Sequence, residues 1–142
     1  MTLTHDHRTE LLAGAPLLAG VDAEGLAQIA QRTVEVAFEA GDVIARQGEV
    51  GTGFFLIASG QVRVVRDGRT LATLGPGDFF GELSVLDRRP RVAQVIAAEP
   101  TICLALASWD FDAVVMDQPK VALAILRGLA ERLRDLTEAN RH

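Results

Sequence analysis

The chain changes its hydrophobic period twice. Over residues 1–32 the apolar positions recur at helical spacing. Leu26, Ile29 and Ala30 share one helical face, and Asp22 stands where an N-cap belongs. Leu11, Leu12, Leu17 and Leu18 lie in shorter pieces, broken by Gly14, Pro16 and Gly20. From Thr33 the period drops to two, with Val34, Val36 and Phe38 on one side and Glu35, Ala37 and Glu39 on the other. Strand-like runs follow at 54–58, 61–66, 69–74, 92–97 and 101–106. Turn residues separate them, notably Gly41-Asp42, Gly48-Glu49, Ser59-Gly60, Asp67-Gly68 and Gly75-Pro76-Gly77-Asp78. Asp67-Gly68 between two such runs is a hairpin signal.

After Ala107 the period is helical again. Ser108 is placed to cap a helix over 109–116, and Pro119 suits the first turn of another that reaches about Thr137. Ala122, Leu126, Leu129, Leu133 and Leu136 step by four and three along it. Such a seam either packs on the body of the protein or pairs with a second copy as a homodimer. The order predicts a mainly β fold with flanking helices. It is an antiparallel sandwich, roll or jelly roll over 33–107, between helical segments at 1–32 and 108–137. With 142 residues this is one domain, spanning 1–142, with no room for a second full-sized effector domain.

Composition narrows the function by exclusion. Fourteen Lys and Arg against nineteen Asp and Glu give a net charge of −5, which speaks against direct nucleic-acid binding. The start is polar, without the apolar core of a signal peptide, and no apolar run is long enough to span a bilayer. A cytoplasmic protein without membrane attachment is expected. A single cysteine excludes an intrachain disulfide framework and a cysteine-only metal site. Cys103 alternates with Ile102 and Leu104, which reads as a buried core thiol; a redox sensor is the other reading. His5 and His7 are read as part of a disordered tail rather than a metal site. The next histidine is His142, so histidine ligation of metal or haem within the strands is not expected. No cofactor is expected, and no nucleophile–base pair or paired-carboxylate site suggests an enzyme.

One stretch, 77–95, carries unusual chemistry. Gly81 allows close backbone approach. Residues 83–86 are long enough for one helical turn, whose first amides would be free for an anion. Arg91, behind Pro90, supplies a planar two-pronged donor for phosphate. Glu82 can only accept hydrogen bonds when ionised, which suits a sugar hydroxyl. Together these describe a site for a sugar phosphate. Arg88 and Arg89 read as solvated loop charges.

Phe80-Gly81-Glu82-Leu83-Ser84 followed by Pro90-Arg91-x-Ala93-x-Val95 resembles the phosphate-binding cassette of the cyclic nucleotide-binding domain family, over 80–95. That family includes catabolite activator proteins, kinase regulatory subunits and gated channels. The resemblance extends to Gly41-Asp42-x-Ile44, Gln47-Gly48-Glu49, Gly60-x-Val62 and Gly75-Pro76-Gly77-Asp78. It implies a jelly-roll-like β-roll, a double-stranded β-helix, with N-terminal helices and C-terminal hinge and lid helices. By the same resemblance Glu82 accepts from the ribose 2′-hydroxyl and Arg91 pairs with the cyclic phosphate. The amides of Leu83 and Ser84, and of Val92 or Ala93, complete the cradle, and Arg132 on the lid helix covers the base. Exposed helical charge is the other reading of Arg132. Two positions depart from the family's common pattern, Val92 and Gln94. Val92 offers no hydroxyl to a guanine amino group, which within this family favours cAMP over cGMP.

The function implied is a cyclic nucleotide sensor, most directly for cAMP, whose lid helix moves on binding and signals to a separate effector protein. The alternatives are a catabolite-activator-type transcription regulator lacking its own DNA-binding domain, and a roll that has lost its ligand and serves as an interaction module.

Overall fold

The structure is a computed structural model, and it describes residues 3–50, 53–81 and 89–139. Helix α1 (His5–Ala13) and a 3-10 turn (Pro16–Leu18) lead into α2 (Ala23–Arg32). The strands follow as β1 (Val34–Phe38), β2 (Val43–Ala45), β3 (Gly53–Ser59), β4 (Val62–Arg66), β5 (Arg69–Leu74), β6 (Phe79–Phe80), β7 (Gln94–Ala97) and β8 (Thr101–Ala107). Helices α3 (Ser108–Asp117) and α4 (Pro119–Ala139) close the chain. The strands form two antiparallel four-stranded sheets, in the orders β1-β8-β3-β6 and β2-β7-β4-β5. This is the expected mainly β roll with helices at both ends.

The first sheet is apolar on both faces because it serves two cores. Phe54 and Leu56 of β3 and Leu104 and Leu106 of β8 point to the helices, where they meet Leu12, Ile29, Phe111, Val114, Val121 and Ile125. Their strand neighbours Ile57 and Cys103 point the other way, into the space between the sheets, and meet Ala45, Val62, Phe80 and Val95. β8 lies between β1 and β3 and turns one face to each core, hence its near-continuous apolar run.

Local signals act where they were read. Asp22 caps α2, its carboxylate accepting from the Gly25 amide at 2.8 Å. Asp67 and Gly68 both take positive φ, 51° and 80°, so the β4–β5 connection has the twist of a primed hairpin turn. Gln47 holds that turn from outside, donating to the Asp67 carboxylate and accepting from the Asp67 amide.

Two expectations need correction. His5 and His7 do not lie in a disordered tail: they belong to α1, which Thr4 caps by accepting from the His7 amide. Contacts remote in sequence dock this helix. The Leu3 amide donates to Glu35 and the Arg8 guanidinium donates to the Thr33 carbonyl at 2.7 Å. Nor is Ser108 a cap. β8 runs straight into α3, so the change from extended to helical backbone falls at Ala107, and Ser108 is the buried first residue of the helix without a side-chain cap bond. Two strands were also not foreseen, β2 and β6, with three and two residues.

Helix α4 turns only part of its apolar surface inward. Val121 and Ile125 are buried and Leu129 packs partly against the helical core. Leu126, Leu133 and Leu136 are 62%, 66% and 63% exposed, so the predicted seam is not consumed by packing on the roll. Among the described residues no helix is long and apolar enough to cross a membrane.

Candidate functional site

The turn at 75–78 aims the chain at the site. The Gly75 amide donates to the Asp78 carboxylate, and the Ile57 amide and carbonyl bond the Asp78 carbonyl and Gly77 amide respectively. That clamp returns the backbone antiparallel to β3, where Phe80 pairs with Phe55. Their rings stack with centroids 5.2 Å apart and 17° between planes. Phe80 is buried in the inter-sheet core, which anchors one side of the cassette.

Gly81 follows at φ +88°, a backbone setting that disfavours every side chain. A methyl group there would stand 2.7 Å from Arg91 Nη1 and 3.0 Å from the Gly53 carbonyl oxygen. Gly81 is therefore the space through which Arg91 reaches the backbone.

Arg91 is held through both its backbone and its side chain. Its amide donates to the Glu49 carbonyl at 2.7 Å, and its own carbonyl accepts from the Gly48 amide at 2.8 Å. Its Nη2 donates to the Gly53 carbonyl at 2.9 Å. Pro90 forms a bridge to Val50 beside it. The half-buried guanidinium is thus fixed in place and permanently charged, with its fork at the end of β6. It also lines a cavity of about 420 Å³ at the open end of the space between the sheets.

The structure accordingly brings Phe80, Gly81, Pro90 and Arg91 together. Ala93 is half-buried, immediately before β7. Val92 is 66% exposed. Arg89 is exposed. Glu82, Leu83 and Ser84, with Arg88, lie outside the described residues, as does the side chain of Arg132 on α4. Gly48, Glu49 and Gly53 position Arg91 by backbone groups alone; the first two were read as a turn and as part of the resemblance, and none of the three was foreseen as a support of Arg91. Backbone ligands leave little trace in residue type. For Gly53 the available signal was a glycine opening a strand of large apolar residues, which often marks close backbone approach.

Cys103 is a core thiol. It is fully buried, and burial pushes its pKa up to about 12. Because the unfolded thiol ionises near the ordinary value while the folded one stays protonated, this group contributes stability at neutral pH that is lost as pH rises from about 9 toward 12. A thiol reagent at pH 8 is expected to leave the folded protein unlabelled and to react with one equivalent after denaturation. Rapid native labelling would contradict the core assignment. Among the described residues no group of acidic, histidine and cysteine side chains could hold a metal ion.

Comparison with known proteins agrees with this geometry. Residues 35–118, more than half of the chain, match the model of the cyclic nucleotide-binding domain. The cyclic AMP receptor protein of Thermus thermophilus is 38% identical over 129 residues, covering 87% of this chain and 60% of the relative. A cAMP-dependent protein kinase regulatory subunit of Yarrowia lipolytica is 32% identical, covering 71% of this chain and 27% of that protein. This chain thus spans less than two-thirds of the length of either relative. Among solved structures, the N-terminal domain of a transcriptional regulator from Streptomyces coelicolor A3(2) superposes with a TM-score of 0.82 at 34% identity, covering 92% of this chain and 94% of that one. The regulatory domain of Toxoplasma gondii PKA, crystallised with cAMP, gives 0.74 at 28% identity, covering 80% and 45%. The roll, the Gly81–Arg91 pairing and the match over 35–118 converge, and the chain belongs to the cyclic nucleotide-binding domain family.

Proposed function

We propose that the chain is a non-enzymatic cyclic nucleotide sensor, with cAMP as its preferred ligand. The observation that carries this is the pairing of Gly81 with Arg91, in which a backbone-anchored guanidinium is fixed beside a residue that leaves no side chain in its way. A cyclic phosphate carries one permanent negative charge, and a fixed two-pronged donor suits it. In this reading Glu82 accepts from the ribose 2′-hydroxyl, and the amides of Leu83, Ser84 and Val92 or Ala93 complete the phosphate cradle. Arg132 covers the base from the lid helix. The Thermus relative and the cAMP-bound Toxoplasma domain support cAMP, as does the lack of a hydroxyl at Val92.

Signalling follows from α4. Leu126, Leu133 and Leu136 present an apolar row to solvent, which supports a homodimer through this helix. Ligand binding would shift the population of lid positions and expose or cover that row to an effector in the cytoplasm. The Thermus relative also supports the reading in which the effector is a DNA-binding region of a catabolite-activator-type regulator.

A thermal-shift panel of cAMP, cGMP and a cyclic dinucleotide tests the ligand. At a hundredfold excess over Kd, a ligand selective for the folded state adds about 2.7 kcal/mol. The melting temperature should therefore rise by several degrees with cAMP, and less with cGMP. No shift with any cyclic nucleotide would favour the interaction-module alternative.

A further inference from the structure

The segment 46–50, which follows β2, supplies backbone groups that hold Arg91, yet no buried side chain of its own holds the segment. All five of its residues are exposed. It forms a turn, closed by the Glu49 amide donating to the Arg46 carbonyl, with Gly48 at φ +87°. Hydrogen bonds have to place it. One set runs to Arg91, through the Gly48 amide and the Glu49 carbonyl. Those bonds tie the turn to the residue it supports, so a separate attachment to the roll has to set the position of both.

Gln47 provides that attachment. Its side-chain amide grips one residue twice: Nε2 donates to the Asp67 carboxylate at 3.1 Å, and Oε1 accepts from the Asp67 amide at 3.3 Å. Asp67 stands at a fixed place. It opens the two-residue turn between β4 and β5, beside the paired Arg66 and Arg69, and β4 is paired on its other side with β7. Among the described residues Asp67 is the only non-glycine at positive φ, a setting that Asp and Asn tolerate better than other side chains. Arg91 is thus tied to both sheets. Its guanidinium rests on Gly53 of β3 in the first sheet. Its backbone hangs, through the 46–50 turn and Gln47, on the hairpin of the second.

We propose that Gln47 is a positioning residue for binding of the nucleotide phosphate, acting with Asp67 through the 46–50 turn on Arg91. This rests on the reading of Arg91 as the phosphate's partner. An exposed amide pair adds little to global stability, but a guanidinium that must be ordered on binding loses affinity. The polarity of the pair supplies a rescue. Gln47→Glu sets an acceptor against the Asp67 carboxylate, so one bond is lost and like charges face each other. Adding Asp67→Asn restores both bonds with the side-chain donor reversed, and Asn tolerates the positive φ. Asp67→Asn alone keeps an acceptor for Gln47 and is the control.

Amide hydrogen exchange without ligand is read first, beside melting. In Gln47→Glu and in Gln47→Ala the Arg91 amide should exchange about three- to tenfold faster, while the Cys103 amide of β8 and the melting temperature stay as in wild type. Protection should return in the double variant. The Kd for cAMP, by calorimetry, should rise about three- to tenfold in the single Gln47 variants and recover in the double variant. Unchanged protection of the Arg91 amide overturns the proposal, as does a failure of Asp67→Asn to rescue Gln47→Glu. Faster exchange at Cys103 as well would make the pair a support of the whole roll and overturn it too, and so would altered protection with unchanged cAMP affinity. A wild type that binds no cAMP overturns the nucleotide reading instead, and the exchange arm then decides by itself whether Gln47 places Arg91.

Discussion

Replacing Arg91 with alanine is expected to weaken cAMP binding by about 2–5 kcal/mol, because the phosphate charge would be left in the cleft without its partner. That is about thirtyfold to a few thousandfold in Kd, and titration calorimetry on both proteins measures it. On the protein side, removing the guanidinium abandons, among its contacts, the hydrogen bond to the Gly53 carbonyl, worth about 1 kcal/mol. The two backbone bonds of Arg91 remain. Melting of the variant is measured beside the titration, so that a loss of fold is told apart from a loss of binding. Arg91→Lys restores the charge without the fork, so it should recover part of the affinity and not all of it. Equal cAMP affinity in wild type and Arg91→Ala would sink the proposed site.

The acidity of the chain and the anionic ligand are compatible for the same reason. Binding of a small phosphate does not need a basic surface when one guanidinium is pre-positioned at low entropic cost. Here the cost is carried by backbone acceptors and donors at Gly48, Glu49 and Gly53, which hold Arg91 before any ligand arrives.

These contacts also explain what could be read along the chain and what could not. The runs at 54–58, 69–74 and 101–106 found β3, β5 and β8 because each strand is long enough to show an apolar pattern. β2 and β6, with three and two residues, are too short to show any. They exist because β7 and β3 offer free edges. α1 was misjudged for a related reason. Its polar start looks like a tail, and what orders it is Glu35 and Thr33, some 25 to 32 residues away. The cassette was legible as a motif, in which Gly81 and Arg91 have the expected residue types. Their meeting is not local. It depends on β6 pairing with β3 and on residues 48–50 pairing with 90–91. No periodicity within 80–95 encodes that.

Gly81→Ala separates the geometry of the site from its mere charge. The φ of +88° costs a non-glycine residue about 1–2 kcal/mol. The added methyl would also stand 2.7 Å from Arg91 Nη1, 3.0 Å from the Gly53 carbonyl oxygen and 3.4 Å from Phe54 Cα. Gly53 and Phe54 belong to β3, which is paired on both sides, so the strand yields little and the guanidinium must move. The expected result is a stability loss on the order of 2–3 kcal/mol by urea titration, together with at least tenfold weaker cAMP binding. Gly77→Ala is the matching control. Its φ is +90°, so the backbone strain is equal, and a methyl there meets nothing within 4 Å. It should lose about 1–2 kcal/mol of stability and keep its affinity. If both variants lost affinity alike, strain in the turn would account for the effect and the close approach of Gly81 to Arg91 would not. If only Gly81→Ala lost it, with Arg91 still present and charged, the position of the guanidinium, and not its charge alone, makes the site.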